Sequence, residues 1–122
     1  MTVLKPRAQR FPKSARLRKR PEFVKVQDTG SKVSADCLLA LYLPNPAGRT
    51  RLGLTVSSKV GPSVLRNRLR RRLRELFRKN SSALPEGIDL VLIARPAAAH
   101  ADFAALQKAF FKVGSELKRR LP

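Results

Sequence analysis

Six arginines stand among the twelve residues 65–76, "LRNRLRRRLREL", with Glu75 as the one acid between them. Guanidinium groups keep their protons at any ordinary pH, so this segment cannot relay protons. It can bind: the planar fork of arginine matches the oxygens of a phosphate two at a time and stacks flat on nucleobases. On a helix, like charges three or four residues apart each cost about 0.2–0.5 kcal/mol. A run of this kind therefore calls for an anionic partner outside the chain. At about 100° per residue, Asn67, Arg71, Arg74 and Arg78 share one side, with Arg68 and Arg72 flanking the opposite stripe on one hand and Arg66 and Arg70 on the other. A merely solvated helix face interleaves both signs, whereas here Glu75 alone is present to pair with Arg71, Arg72 or Lys79. Nucleic acid is the better reading.

Other reactive side chains are sparse. The eight acids are spread along the chain without an evident pair, and the lone histidine, His100, lies in an alanine-rich linker, so no general acid and base are supplied for a stand-alone nuclease. Asp89, a carboxylate on a strand, reads as a turn or ion-pair residue. Cys37, the only cysteine, has no disulfide partner and reads as a packed small hydrophobe within "CLLALYL". No metal site borne by the protein is expected. The whole chain of 122 residues carries 27 Lys and Arg against 8 Asp and Glu, a formal charge of +19, which again points to a polyanion. No apolar run approaches the roughly 20 residues that span a bilayer, and the basic start lacks the apolar block of a signal peptide. The expectation is a cytoplasmic protein without a membrane partner.

The elements that would position the arginines follow from hydrophobic period and turn chemistry. Residues 1–15, with scattered prolines and bases, read as a basic flexible arm, and 16–122 as one domain. Pro21 opens a short helix in which Phe23 and Val26 can share a face and which Gly30 stops. Then comes an apolar strand, "CLLALYL", closed by Pro44, a turn at "PNPAG", and a second strand, "RLGLTVS". In that strand Leu52, Leu54 and Val56 alternate with Gly53, Thr55 and Ser57. "GPS" at 61–63 opens the arginine-rich helix, which runs to about Lys79 and buries Leu65, Leu69, Leu73 and Leu76, with Phe77 at the edge of the stripe. "NSSALPEG" breaks it, "IDLVLIA" reads as a strand covered on both sides, and the last helix buries Phe103, Leu106, Phe110, Val113 and Leu117. The predicted order is helix, two strands, helix, strand, helix.

The joined segment "GLTVSSKVGPSVLRNRLRRRLRELFR" carries more than its parts. It resembles the protein subunit of bacterial ribonuclease P, whose mark is a "GLSVSKKVG" strand running into an "RNR" helix; here these are residues 53–61 and Arg66, Asn67 and Arg68. The likeness extends over about residues 16–97, with "RLRKRPEFVKV" similar to the family's first helix, "YLPN" to the end of its long strand and "DLVLIAR" to its last strand. The resemblance implies a fold and a role. The fold is an α/β (α+β) two-layer sandwich of a small mixed sheet and three helices, similar to a domain of a small-subunit ribosomal protein. Its βαβ crossover is left-handed, against the right-handed rule for such connections.

The role implied is that of an RNA-binding cofactor. The catalytic RNA, using Mg2+ that it holds itself, cuts precursor tRNA, while a protein that is monomeric before assembly holds the 5′ leader and supports the RNA. Carried over residue by residue, Arg66, Asn67, Arg68, Arg70, Arg71, Arg74 and Lys59 would meet RNA. Phe23 with Leu41, Tyr42 and Arg16 would line a leader cleft between the first helix and the sheet, where a base can stack on an aromatic floor, with simple core packing as the equal alternative for Phe23. Two aromatic positions of the family are Gln27 and Leu41 here, Tyr42 sits one step along on the other strand face, and Ser58 replaces a common lysine. Charge and size alone also allow a ribosomal or other structural RNA-binding protein with no part in cleavage.

Overall fold

The computed structural model describes residues 16–17, 20–46 and 48–121; the expected arm at 1–15 lies outside them. In chain order the elements are α1 (Arg20–Thr29), β1 (Ser31–Ala35), β2 (Leu38–Pro44), β3 (Arg51–Thr55), α2 (Ser63–Lys79), a 3-10 turn (Ser81–Ala83), β4 (Ile88–Ala94), a second 3-10 segment (Pro96–His100) and α3 (Phe103–Arg120). The sequence reading lacks β1. Its "SKVSA" offers only Val33 and Ala35 as apolar residues, and it turns into β2 through Asp36, which takes the left-handed conformation (φ 53°) in place of a glycine.

The four strands are ordered β1-β2-β4-β3, with β1–β2 and β2–β4 antiparallel and β3–β4 parallel. The strands on either side of "PNPAG" are therefore not neighbours: β4 lies between them, and β3 reaches it through α2. This central position explains why β4 is apolar on both faces, as a strand covered on both sides must be.

Period 2 sorts the sheet into two faces. One face carries Val33, Ala40, Tyr42, Leu52, Leu90 and Leu92, which pack with the buried stripes of α2 and α3 into the main core. On the other, Leu41 and Val91 meet Leu17 and Val26, so α1 lies across the far side of the sheet. The stripe of α2 buries Leu69, Leu73, Leu76 and Phe77, while Leu65 is half-buried at the edge of the same core. In α3, Leu106, Phe110, Val113 and Leu117 are buried as expected, but Phe103 in the first turn is 40% exposed. Cys37 is buried at the β1–β2 turn, where loss of water pushes its thiol above the ordinary value.

Gly114 shows how tightly α3 docks. A Cβ there would stand 2.3 Å from the Ala83 carbonyl oxygen, a backbone atom that cannot swing aside. Gly114→Ala is expected to lower stability by about 1–3 kcal/mol through overpacking, visible as a lower denaturant midpoint at unchanged slope.

Candidate nucleic-acid interface

The packing of α2 leaves its remaining surface to the arginines, and hydrogen bonding divides them into two groups. Arg66 Nε donates to the Gly61 carbonyl (3.1 Å); Arg70 donates to Asn67 Oδ1 (2.9 Å) and to the Val56 carbonyl (3.3 Å). These two brace the turn between β3 and α2. That turn is anchored by buried Val56 and Val60 and projects Lys59 into solvent. Arg78 and Lys79, near the end of the helix, both pair with Glu75. The pairing of Glu75 with Arg71 or Arg72 expected from sequence does not form, since the carboxylate reaches toward the C-terminal turn. The Arg78 hydrogen bond, followed by Lys79, holds the Glu75 carboxyl below its usual range.

The second group consists of Arg68, Arg71, Arg72 and Arg74. Among the described residues none of them has a hydrogen-bond or ion-pair partner. Arg74 is held below the usual arginine range by loss of water and then by the neighbouring charges of Arg16 and Arg70. Its side chain still presents exposed surface, so solvent screens much of that effect. Pro62 precedes α2 without a side-chain cap, and no acid stands in the first turn, so the positive end of the helix dipole adds to the same field. Concentrated, partnerless, forked cations of this kind are equipped to take up phosphates.

The α1 side of the sheet supplies a second surface. Arg51 clamps α1 to it: Nη1 reaches Glu22 Oε2 (2.7 Å), while Nε and Nη2 reach the two oxygens of Asp89 (2.8 and 2.7 Å). The Asp89 hydrogen bonds, ahead of those from Glu22, hold the Arg51 guanidinium above its ordinary range. Asp89 is thus an ion-pair residue, as its position suggested. Phe23 hangs from α1 onto the backbone of β3, where a Cβ on Gly53 would lie 2.6 Å from its ring. Glycine at 53 is what lets the ring approach the strand this closely. Leu41 is buried beside it, and beyond them Thr55, Ile93 and Leu39 continue the same face half-buried.

The expected residues thus fall into three places. Phe23, Leu41 and Arg16 lie together: Leu17 joins the β3 edge by donating to the Leu52 carbonyl (2.9 Å), and adjacent Arg16 stands close enough to Arg74 to repel it. The α1 side of the sheet and the basic face of α2 therefore adjoin at the β3 edge, with Arg16 at the seam. Tyr42 is not part of this surface. It is buried on the α3 face, one step out of phase with Leu41, and stands apart from Phe23. Gln27 is exposed on α1. Arg72 joins the partnerless bases beyond those expected to meet RNA, and the Glu22–Arg51–Asp89 clamp, in which Arg51 and Asp89 occupy directly paired positions on one sheet face, has no counterpart among the expected contacts. Among the described residues no cluster of His, Cys, Asp or Glu could hold a metal ion, and no helix is long and apolar enough to cross a membrane.

The sequence profile of the family described as Ribonuclease P matches residues 11–118. The ribonuclease P protein component of Citrifermentans bemidjiense is 43% identical over 93 residues, covering 76% of this chain and 79% of that protein. Its counterpart from Desulfosudis oleivorans is 38% identical over 112 residues, 92% of this chain and 93% of its own. Among solved structures, the RNase P protein from Thermotoga maritima superposes with a TM-score of 0.76 at 31% identity over 85% of this chain and 96% of that one. A Staphylococcus aureus RNase P protein described as a mutant with defective mRNA degradation activity gives a TM-score of 0.80 at 30% identity, over 87% and 90% of the two chains.

Proposed function

This chain belongs to the ribonuclease P protein family, and on that premise we propose that it is the RNA-binding subunit that docks on the catalytic RNA and holds the 5′ leader of precursor tRNA. Membership makes it part of an endoribonuclease that matures tRNA. In the proposed division of labour the RNA performs the cleavage with Mg2+ that it binds itself. The basic face of α2, with Lys59, meets RNA phosphates, and the α1 side of the sheet holds the unpaired leader against Phe23 and Arg16, with Leu41 buried beneath them. Tyr42 supports that surface from the opposite face of β2 without touching the leader. The protein enters as a monomer, and its compartment is the cytoplasm.

The observation that carries the reading is the set of partnerless arginines 68, 71, 72 and 74. A chain that kept them for its own fold would pair them, as Arg51 is paired. Leu41 and Gln27, where an aromatic would widen the stacking floor, make leader binding rest more on phosphate contacts than on base identity.

The test adds purified protein to a ribonuclease P RNA at Mg2+ too low for the RNA to act alone, with precursor tRNA as substrate. Cleavage at the mature 5′ end is expected only when both components are present. Binding without stimulation would instead mark a structural RNA-binding protein. The mRNA degradation named for the S. aureus relative motivates a further arm, in which the protein is incubated with RNA in the absence of the RNA subunit. No product is expected, since the described residues assemble no general acid and base. Cleavage that follows the folded chain through RNA-free purification would overturn the cofactor reading.

A further inference from the structure

A groove of about 900 Å³ runs between β1 and α3, at the opposite edge of the sheet from the seam where Arg16 meets α2. At a strand spacing of about 4.8 Å the two edges lie roughly 14 Å apart, so the groove is a separate surface. We propose that it is a second RNA-binding site, taking a single-stranded segment whose base stacks on Phe111 while its phosphate meets Lys108. This rests on the reading of the chain as an RNA-binding subunit and adds a site to it.

Three observations support the assignment. Phe111 is 37% exposed, and its ring is fixed edge-to-face against buried Phe110, with centroids 5.8 Å apart and planes at 82°. A ring held by one neighbour and open on a groove is a stacking platform set in advance. Lys108, one helical turn before it, has no hydrogen-bond or ion-pair partner among the described residues. The groove also carries excess positive charge: Lys112 pairs with Asp36 (3.2 Å), while Arg119 and Arg120 both pair with Glu116, which leaves Lys108 and one further cation unbalanced. Arg120 also caps the outer edge of β1 by donating to the Lys32 carbonyl (2.9 Å), so the edge strand is partly closed to another strand. A second copy of this chain, carrying +19 itself, is a poor occupant.

The experiment uses a photoreactive single-stranded RNA of about ten nucleotides, within the usual span of single-strand sites, with the full-length protein. Crosslinks are expected on α3 around Phe111 as well as on α2. Phe111→Leu, which keeps apolar volume but removes the π-face, and Lys108→Glu on an exposed position should each abolish the α3 crosslinks and weaken oligomer binding about ten-fold at unchanged melting temperature. Both should leave the α2 crosslinks in place. Crosslinks confined to α2, or variants that bind like wild type, overturn the second site while leaving the subunit reading intact. Loss of RNA binding at both helices in the wild-type protein sinks the subunit reading itself. If an oligoglutamate peptide protects the groove from labelling and RNA does not, the surface is a protein dock and the proposal is wrong.

Discussion

Raising monovalent salt from about 50 to 200 mM is expected to weaken the complex with ribonuclease P RNA by roughly two to three orders of magnitude, the loss that follows when about five phosphates are neutralised and their condensed counterions released. Five is the number the site supplies: Arg68, Arg71, Arg72 and Arg74, with Lys59 on the adjoining turn. Arg78 and Lys79, already paired with Glu75, contribute less. The measurement is a series of equilibrium titrations with the slope of log affinity against log salt as its readout. A slope near zero would show that the basic face of α2 does not dock the RNA.

The largest single-residue effects separate the two sides of α2. Leu69 is 1% exposed at the centre of the buried stripe, so Leu69→Ala should cost about 2–5 kcal/mol through lost transfer energy and the residual cavity. Its sequence neighbour Arg68 is exposed and partnerless, so Arg68→Ala should change stability by no more than about 0.5 kcal/mol. Activity should follow the reverse order. At limiting protein, Arg68→Ala lowers RNA-dependent cleavage of precursor tRNA while keeping the wild-type melting temperature, whereas Leu69→Ala loses activity only as far as it unfolds. If Arg68→Ala melts early or activates the RNA as wild type does, the assignment of that face is incorrect.

Much of this was legible in the sequence because it depends on local period. The leucine stripe of α2 and the opposite facing of Leu41 and Tyr42 follow from spacings of 3.6 and 2, the doubly apolar β4 from an unbroken apolar run, and the stop at Gly30 from glycine as a helix breaker. What was not legible depends on who stands next to whom. Alternation places a residue on a face but does not name the neighbouring strand, so the insertion of β4 between β2 and β3, and with it the Glu22–Arg51–Asp89 clamp, had no sequence signal of its own. β1 was missed because three of its five residues are polar and its turn is built on Asp36 and Cys37 in place of a strong turn pair. Arginines 66 and 70 look the same in sequence as 68 and 71. Only the carbonyls of Gly61 and Val56, supplied by the preceding turn, set them apart as braces.

The central place of β4 also makes completion of the sheet depend on contacts between residues far apart in sequence. The β1–β2 hairpin can close early, since its strands adjoin in sequence. Asp89, by contrast, must find Asn45 across 44 residues and Arg51 across 38 before the sheet is continuous. Until then the inner edges of β2 and β3 are both open, and closing such long loops is what makes folding slow. The intervening chain includes α2, so the sheet is completed only by bringing the most positively charged segment close to Arg16 and the rest of a basic molecule. A polyanion that gathers the α2 arginines removes that repulsion, and because it binds the folded arrangement it draws the equilibrium toward it. RNA would then act as a folding partner of this chain as well as its docking site.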